Sequence, residues 1–168
     1  MRLTDDTLNG ILQRKGRWAM TDVLGDKRIT QIGIIVRDIE ATSRAYADLL
    51  GVEVPEWLLT DTEDVAQTRY MGKPTQARAK LAFFDMGSVQ LELIEPVGAP
   101  STWQAFLDEH GEGVHHIAFQ IQGMVEQVDL LEDRDMPLAQ RGEYTGGRYA
   151  YIDSTAQLKL MLELLEND

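Results

Sequence analysis

The chain has 168 residues, 43% of them hydrophobic, so it can bury a core as one domain or as two small fused halves. Its net charge of −12 argues against nucleic acid as a partner, because a phosphate backbone requires a basic surface. The sequence contains no cysteine, which excludes disulfides, thiolate metal sites and cysteine nucleophiles. No apolar run approaches the length of a membrane span or a signal peptide, so we expect a cytoplasmic protein without a membrane partner.

The first 28 residues predict a helical appendage that packs on the main body. Thr4 or Asp5 could cap a helix in which Leu8, Ile11 and Leu12 share one face.

Residues 29–98 predict a first β-α-β-β-β module. A strand over residues 29–36 precedes a helix with Asp38 as its N-cap, and this helix ends at Leu50 with Gly51 in the C′ position. A strand through "VEVPEWLLT" comes next, and after a long connection the strands "KLAFFDMG" and "SVQLELIEP" are joined by a tight turn. Residues 99–113 then predict a linking helix with a cap at Ser101.

Residues 114–168 repeat the same order of elements. A strand containing "HHIAFQI" precedes a helix from about Met124 to Glu132, two strands follow around Gly146 and Gly147, and "AQLKLMLELLE" forms the last strand. The two halves align "TQIGIIV" with "HHIAFQI" and "LELIE" with "LELLE". An internal repeat of this length indicates duplication of one supersecondary unit.

Four polar residues occupy matched positions in the two halves. Side chains alternate across a strand, and the apolar faces of these strands should pack on the helices. Gln31, Glu92, His116 and Glu163 all fall on the opposite face, and all four are residue types that bind divalent metals. We therefore predict that they converge on one metal ion.

Apolar residues accompany the quartet on this face, as expected for a lined cavity rather than for open solvent; they are Ile35, Ile94, Ala118, Met161 and Leu165. The alternative is that the glutamates lie on wet strand faces, where such residues are usually exposed. His115 falls on the helix-packed face and is predicted to be a structural histidine.

A basic segment interrupts the acidic sequence between residues 65 and 84. It contains Arg69, Lys73, Arg78 and Lys80 and no acidic residue, so it could direct an anionic small-molecule substrate toward the cavity. The alternative is a solvated loop.

Tyr149 and Tyr151 alternate in "GGRYAYID" and are a second candidate substrate contact. Aromatic pairs in strands also serve as simple packing.

The order of elements and the matched chelating residues resemble the vicinal oxygen chelate (glyoxalase/bleomycin resistance/dioxygenase) superfamily. The resemblance runs from about Ile29 to Glu166 and implies an α+β fold in which two βαβββ modules form a curved open barrel. "KLAFFDMGSVQLELIEPVGAPSTWQAFLDEHGEGVHHIAFQI" is similar, nearly position for position, to methylmalonyl-CoA epimerases. That similarity implies that Glu92, His116 and Glu163 are metal ligands. Such epimerases usually place a histidine where this chain has Gln31, and the quartet is instead similar to that of zinc-type glyoxalase I.

The resemblance implies a metal-dependent enzyme that removes a proton next to a carbonyl through a stabilised enediolate. Glu163 is the predicted base, and Glu92 is the other carboxylate ligand or a second acid/base. Ligation by oxygen and nitrogen suits Zn, Ni, Co or Mn. The expected reaction is epimerase-like on a small acyl thioester; the alternatives are a lactoylglutathione lyase of the glyoxalase I type and a non-catalytic, drug-resistance type binding protein. These relatives commonly dimerise, so we expect a homodimer.

Overall fold

The computed structural model describes residues 23–168. The helix predicted near the N-terminus therefore falls outside the described residues. The described end of the predicted appendage packs on the body, because Val23 and Leu24 contact a cluster that contains Phe119 and Leu164. Within residues 23–168, no helix is long and apolar enough to cross a membrane.

The first half contains six strands and two helices, and its elements are β1 (Gln31–Ile35), α1 (Ile39–Leu50), β2 (Leu58–Leu59), α2 (Glu63–Ala66), β3 (Arg69–Tyr70), β4 (Lys73–Pro74), β5 (Arg78–Asp85) and β6 (Gln90–Val97). The predicted caps of α1 are confirmed. The Asp38 carboxylate accepts a hydrogen bond from the Ala41 amide, and Gly51 adopts a left-handed conformation with φ of 68°.

The second half follows a linking helix, and its elements are α3 (Thr102–His110), β7 (Gly113–Gln120), α4 (Met124–Glu132), β8 (Leu138–Tyr144), β9 (Gly147–Ile152), α5 (Thr155–Leu158) and β10 (Met161–Asn167). The Ser101 hydroxyl accepts a hydrogen bond from the Gln104 amide and caps α3, as predicted. The last strand starts later than predicted, because residues 155–158 form a helical turn before it. The module limits drawn at residues 98 and 114 stay a prediction.

One ten-stranded sheet joins the two halves in the order β2-β5-β6-β1-β7-β10-β9-β8-β3-β4. Strands β6 and β1 pair in parallel, as do β7 and β10, and β1 pairs antiparallel with β7 at the junction. The strand order β2-β5-β6-β1 in the first half thus corresponds to the order β8-β9-β10-β7 in the second half, and each half forms one side of a curled sheet. The predicted fold of two βαβββ modules in an open barrel is confirmed.

The helices pack on this sheet from both sides. Leu91 and Leu93 lie against α1, and Leu162 and Leu164 lie against α4, so the predicted apolar faces are correct. Helix α3 occupies the inner face instead, where its Trp103 and Leu107 form a cluster with residues that include Ile35, Ile94 and Met161. Ile35, Ile94 and Met161, which were predicted to lie on the cavity face, therefore pack against α3.

The first half departs from the repeat at its second strand. The strand predicted through "VEVPEWLLT" is reduced to Leu58–Leu59. Residues 60–68, here called the crossing segment, then lead to the β3–β4 hairpin, and β3 pairs with β8 of the other half. The crossing segment therefore spans the open side of the barrel from one sheet edge to the other.

The last glutamate of each repeated motif stabilises a helix start. Glu95 follows Glu92 by three residues and accepts a hydrogen bond of 2.9 Å from the Ile39 amide at the start of α1. Glu166 follows Glu163 by three residues and accepts hydrogen bonds from the Gly123 and Met124 amides at the start of α4. A carboxylate is favourable there because the first amides of a helix have no partner within the helix.

Replacing Glu166 with alanine should lower the free energy of unfolding by about 1–3 kcal/mol, since the hydrogen bonds of a charged group to the Gly123 and Met124 amides are lost. Urea denaturation measures this difference. Glu53→Ala, at an exposed position, is the matched control and should stay within about 0.5 kcal/mol of the parent protein. Equal effects of the two substitutions would contradict the capping role.

Candidate active site

Gln31, Glu92, His116 and Glu163 lie on the four central strands of the sheet, β1, β6, β7 and β10. All four are buried, and His116 is completely inaccessible. In the strand registers, Gly33 lies opposite Glu92 on one side and opposite His116 on the other. Because the sheet curls around this line, the side chains point toward one another.

The convergence is centred on Nε2 of His116. This nitrogen lies 3.0 Å from Oε2 of Glu163, 3.5 Å from Oε2 of Glu92 and 3.5 Å from Oε1 of Gln31. The donor atoms of Glu92, His116 and Glu163 all lie within 4.8 Å of one another, so these three residues could hold a metal ion.

The two carboxylate oxygens in this cluster have no hydrogen-bond partner. Oε2 of Glu92 and Oε2 of Glu163 are both buried and unpaired, although each is near His116. Burying a carboxylate oxygen without a partner costs several kcal/mol unless a cation or a proton compensates the charge.

The donor set fits a divalent cation. Bonds of about 2.0–2.2 Å to one ion, at tetrahedral to octahedral angles, separate neighbouring donors by about 2.9–3.5 Å. The distances of 3.0 and 3.5 Å around His116 fall in this range. Imidazole and carboxylate donors without sulfur are typical of first-row divalent metals.

The pKa of Glu92 is raised well above its usual value, first by burial and then by the charge of Glu163. Without a cation, the pair therefore tends to keep a proton, because two nearby buried carboxylates do not ionise together easily.

Gly33 provides the space for the histidine ring. An ideal Cβ at this position would lie 2.0 Å from Cε1 and 2.4 Å from Nδ1 of His116. No side chain fits there unless the ring moves, so the glycine is needed for its lack of a Cβ.

Gln90 orients the amide of Gln31. Its side-chain oxygen accepts a hydrogen bond of 2.8 Å from Nε2 of Gln31. The carbonyl oxygen of Gln31 is thereby turned toward His116, where it adds an acceptor to the cluster.

His115 does not lie where strict alternation places it. The register of β1 and β7 passes from Gly33 opposite His116 to Ile34 opposite Val114, so His115 is the extra residue of a β-bulge. Its ring packs edge-to-face on Phe106 of α3, and its Nδ1 lies 3.1 Å from Nδ1 of His116. Burial, followed by the charge of His116, lowers its pKa well below the usual value.

A cavity of about 700 Å³ opens beside Glu92 and Glu163. Tyr149, Tyr151 and Trp103 line it, and contact of the two tyrosines with a substrate stays a prediction. The pKa values of Tyr149 and Tyr151 are raised, first of all by burial, so both hydroxyls stay protonated. Nε1 of Trp103 donates a hydrogen bond of 3.2 Å to the Tyr151 hydroxyl.

The three predicted basic contacts lie outside the cavity lining. Arg69 and Lys73 belong to the β3–β4 hairpin on the far edge of the sheet, and Arg78 donates a hydrogen bond to the Thr60 carbonyl at the start of the crossing segment. Thr60, Asp61, Ala66 and Thr68 of that segment line the cavity instead. A role of Arg69, Lys73 and Arg78 in substrate binding stays a prediction, and their placement outside the cavity does not support it.

A sequence model of the Glyoxalase/Bleomycin resistance protein/Dioxygenase superfamily matches residues 30–151 of this chain. The chain belongs to this superfamily. It is 32% identical to the uncharacterized protein YqjC of Bacillus subtilis over 83% of this chain and 91% of that protein.

Several other similar proteins of the superfamily are epimerases. The chain is 26% identical to the ethylmalonyl-CoA/methylmalonyl-CoA epimerase of Cereibacter sphaeroides over 69% of this chain and 77% of that protein. It is 24% identical to the mitochondrial methylmalonyl-CoA epimerase of Mus musculus, of which it spans 53%. The structure of the Mycobacterium tuberculosis methylmalonyl-CoA epimerase superposes with a TM-score of 0.57 at 18% identity, over 91% of this chain and 95% of that one, which shows a shared fold.

Sequence reasoning missed several contributors to the site in this superfamily member. A glycine between two larger residues on the cavity face is a signal for close approach, and Gly33 fits that pattern. Gln90 and Trp103 carry no such signal, because their roles depend on contacts between strands or with α3.

Replacing Gly33 with alanine should displace the His116 ring and lower the affinity for a divalent metal by about 10–100-fold. Gly142→Ala is a matched control, because its Cβ would meet the ring of Tyr149 at 2.7 Å in the same kind of strand contact. Metal titration of both folded variants measures the difference. Parent-like affinity of Gly33→Ala would contradict the role of this space.

Proposed function

We propose that the chain is a divalent-metal-dependent enzyme that removes and returns a proton on the carbon next to a carbonyl, in an epimerase-like reaction on a small acyl thioester. The observation that carries the proposal is the pair of buried, unpaired carboxylate oxygens of Glu92 and Glu163 beside Nε2 of His116. They border a cavity large enough for a small acyl group. The names of the epimerases among its relatives support the choice of reaction.

Gln31, Glu92, His116 and Glu163 would hold the cation, which could be Zn, Ni, Co or Mn. When bound, it would act as a Lewis acid toward neighbouring substrate oxygens and make the adjacent C–H more acidic. The protein's contribution is a buried, preorganised set of donor atoms, because His116 is inaccessible and both carboxylates are almost fully buried.

Glu163 is the proposed base. Its Oε2 would loosen from the cation to accept the proton; no hydrogen bond holds this oxygen in place, and the side chain borders the cavity. Glu92 projects from β6 of the other half, so a second carboxylate is available to return the proton from a different wall. An epimerase needs proton carriers on both faces of the carbon.

The cavity favours hydrogen bonds over cationic contacts for the rest of the substrate. In the region that the structure describes, its lining includes Asp61, Glu92, Glu143 and Glu163 but no lysine or arginine. An anionic group of the substrate would therefore rely on the cation for charge compensation, while the Tyr149 and Tyr151 hydroxyls are near enough to the site to donate hydrogen bonds.

Gln31 favours a second candidate, a lyase of the glyoxalase I type. Its carbonyl oxygen is held 3.5 Å from His116 by the contact with Gln90, where the epimerases usually have a histidine. Such an enzyme also removes a proton next to a carbonyl, from a thiohemiacetal of a 2-oxo compound. In both reactions Glu163 would accept the proton next to the carbonyl. The reactions differ in which substrate exchanges this proton with solvent.

Proton–deuterium exchange on 2-methyl acyl-CoA thioesters and on 2-oxo thiohemiacetals tests the reaction. At saturating metal, Glu163→Gln should lower the exchange rate by at least about 100-fold, because the amide cannot accept the proton. Glu143→Gln removes another carboxylate of the cavity lining and should leave exchange unchanged. Binding of these compounds without exchange by the parent protein would instead indicate a non-catalytic binding protein.

Thermal unfolding with and without metal tests the charge balance. In chelator-treated protein, Glu92→Gln should raise the unfolding midpoint by about 2–8 °C, since the amide imitates the protonated acid and relieves about 1–2 kcal/mol of repulsion. Added Zn²⁺ should stabilise the parent protein by about 4 kcal/mol at a free concentration of about 1,000 times Kd, and the variant much less. Glu143→Gln should change neither value. Destabilisation of the metal-free protein by Glu92→Gln would contradict an uncompensated carboxylate pair.

A further inference from the structure

We propose that His115 is a positioning residue for His116. Nδ1 of His115 accepts a hydrogen bond from the Nδ1–H of His116. This bond fixes the tautomer of His116 in which Nε2, beside Glu92 and Glu163, carries a lone pair instead of a proton. The inference rests on the proposed function, because it assigns how the metal-binding nitrogen is kept ready. It gives a role in the site to a side chain that alternation alone would place among packing residues.

The two facing nitrogens allow only two arrangements. They lie 3.1 Å apart, so for a hydrogen bond one carries the proton and the other accepts it. If His115 donated, the proton of a neutral His116 would be on Nε2, among oxygens that are all acceptors. That N–H could donate to Oε1 of Gln31, 3.5 Å away, but it would leave no lone pair on Nε2 for a cation.

The opposite arrangement suits the oxygens of the cluster, although it leaves the Nε2–H of His115 buried without an acceptor. With its proton on Nδ1, His116 presents a lone pair at Nε2, beside the oxygens of Glu92, Glu163 and Gln31. A nitrogen binds a metal only through such a lone pair, so a cation at this point requires this tautomer. His115 is then the acceptor that holds it, a task that a carboxylate or a backbone carbonyl usually performs.

The bulge in β7 is what brings the two rings together. Consecutive residues of a regular strand point to opposite faces, and their rings would be separated by the sheet. Here His115 is left without a partner between the pairs Gly33–His116 and Ile34–Val114. Bulges of this kind redirect a side chain next to a functional site.

The surroundings of His115 hold its ring in place. Its residue surface is 1% exposed, and the rings of Phe106 and Tyr151 pack against it with interplanar angles of 88° and 79°. Helix α3 supplies Phe106 and β9 supplies Tyr151, so two elements fix the direction of Nδ1. A role in packing alone would need the ring but not its nitrogen.

Two substitutions separate positioning from packing. His115→Phe keeps an aromatic ring and removes the acceptor, whereas His115→Asn keeps an acceptor atom near the position of Nδ1. We expect the affinity for Zn²⁺, measured by chelator competition on folded protein, to fall by about 10–100-fold in His115→Phe and to stay within about 3-fold in His115→Asn. Parent-like affinity in His115→Phe, or equal loss in both variants, would overturn the proposal.

Nitrogen-15 NMR of the parent protein provides a readout that packing does not influence. With Zn²⁺ bound, the His116 ring should carry its proton on Nδ1, with a coupling to its bonded hydrogen, and His115 should have an unprotonated Nδ1. The reverse pattern would overturn the proposal even if neither variant folds. A parent protein that binds no metal overturns this inference and the proposed function together, whereas one that binds metal without exchanging protons overturns the proposed reaction alone.

Discussion

The structure depends on one electrostatic constraint, the burial of two carboxylates beside a histidine at the junction of the two halves. Oε2 of Glu92 and Oε2 of Glu163 lack hydrogen-bond partners, and burial makes their charges expensive. Two nearby features keep the groups of this cluster close together: Gly33 leaves room for the His116 ring, and Gln90 accepts a hydrogen bond that turns the Gln31 oxygen inward. Two buried carboxylates held close together, despite the repulsion between their charges, are typical of a site that holds a cation.

Duplication explains how a short chain builds this constraint. Each copy of the repeated motif contains two glutamates three residues apart, and this odd spacing sends them to opposite faces of the strand. Glu92 and Glu163 point into the barrel, while Glu95 and Glu166 hold the first amides of α1 and α4 on the outside. The same strand thus fixes the position of its helix and carries its half of the site, so packing on one face determines geometry on the other.

The fold and the convergence of the quartet could be predicted because both follow from strand periodicity and from a repeat. For residues of matched strands, such as Glu92 and Glu163, the alternation of side chains alone determines the face of the sheet to which each side chain points. His115 could not be placed in this way, because a bulge shifts the register by one residue and depends on the partner strand. The pairing of β3 with β8 was equally out of reach, since it joins residues about 70 positions apart across the barrel opening.

The crossing segment makes the two walls of the cavity different although the modules are repeats. It spans from β2 to the edge of β8, and its Thr68 hydrogen-bonds the Tyr149 hydroxyl, which also accepts a hydrogen bond from Gln140. Gln140 in turn accepts a hydrogen bond from the Thr102 amide at the start of α3. One network therefore ties the crossing segment, the tyrosine wall and the linking helix together. Because these parts meet beside the carboxylates, a change in the crossing segment can alter the shape of the cavity without touching the quartet, which gives this fold a way to change substrate while its chemistry stays the same.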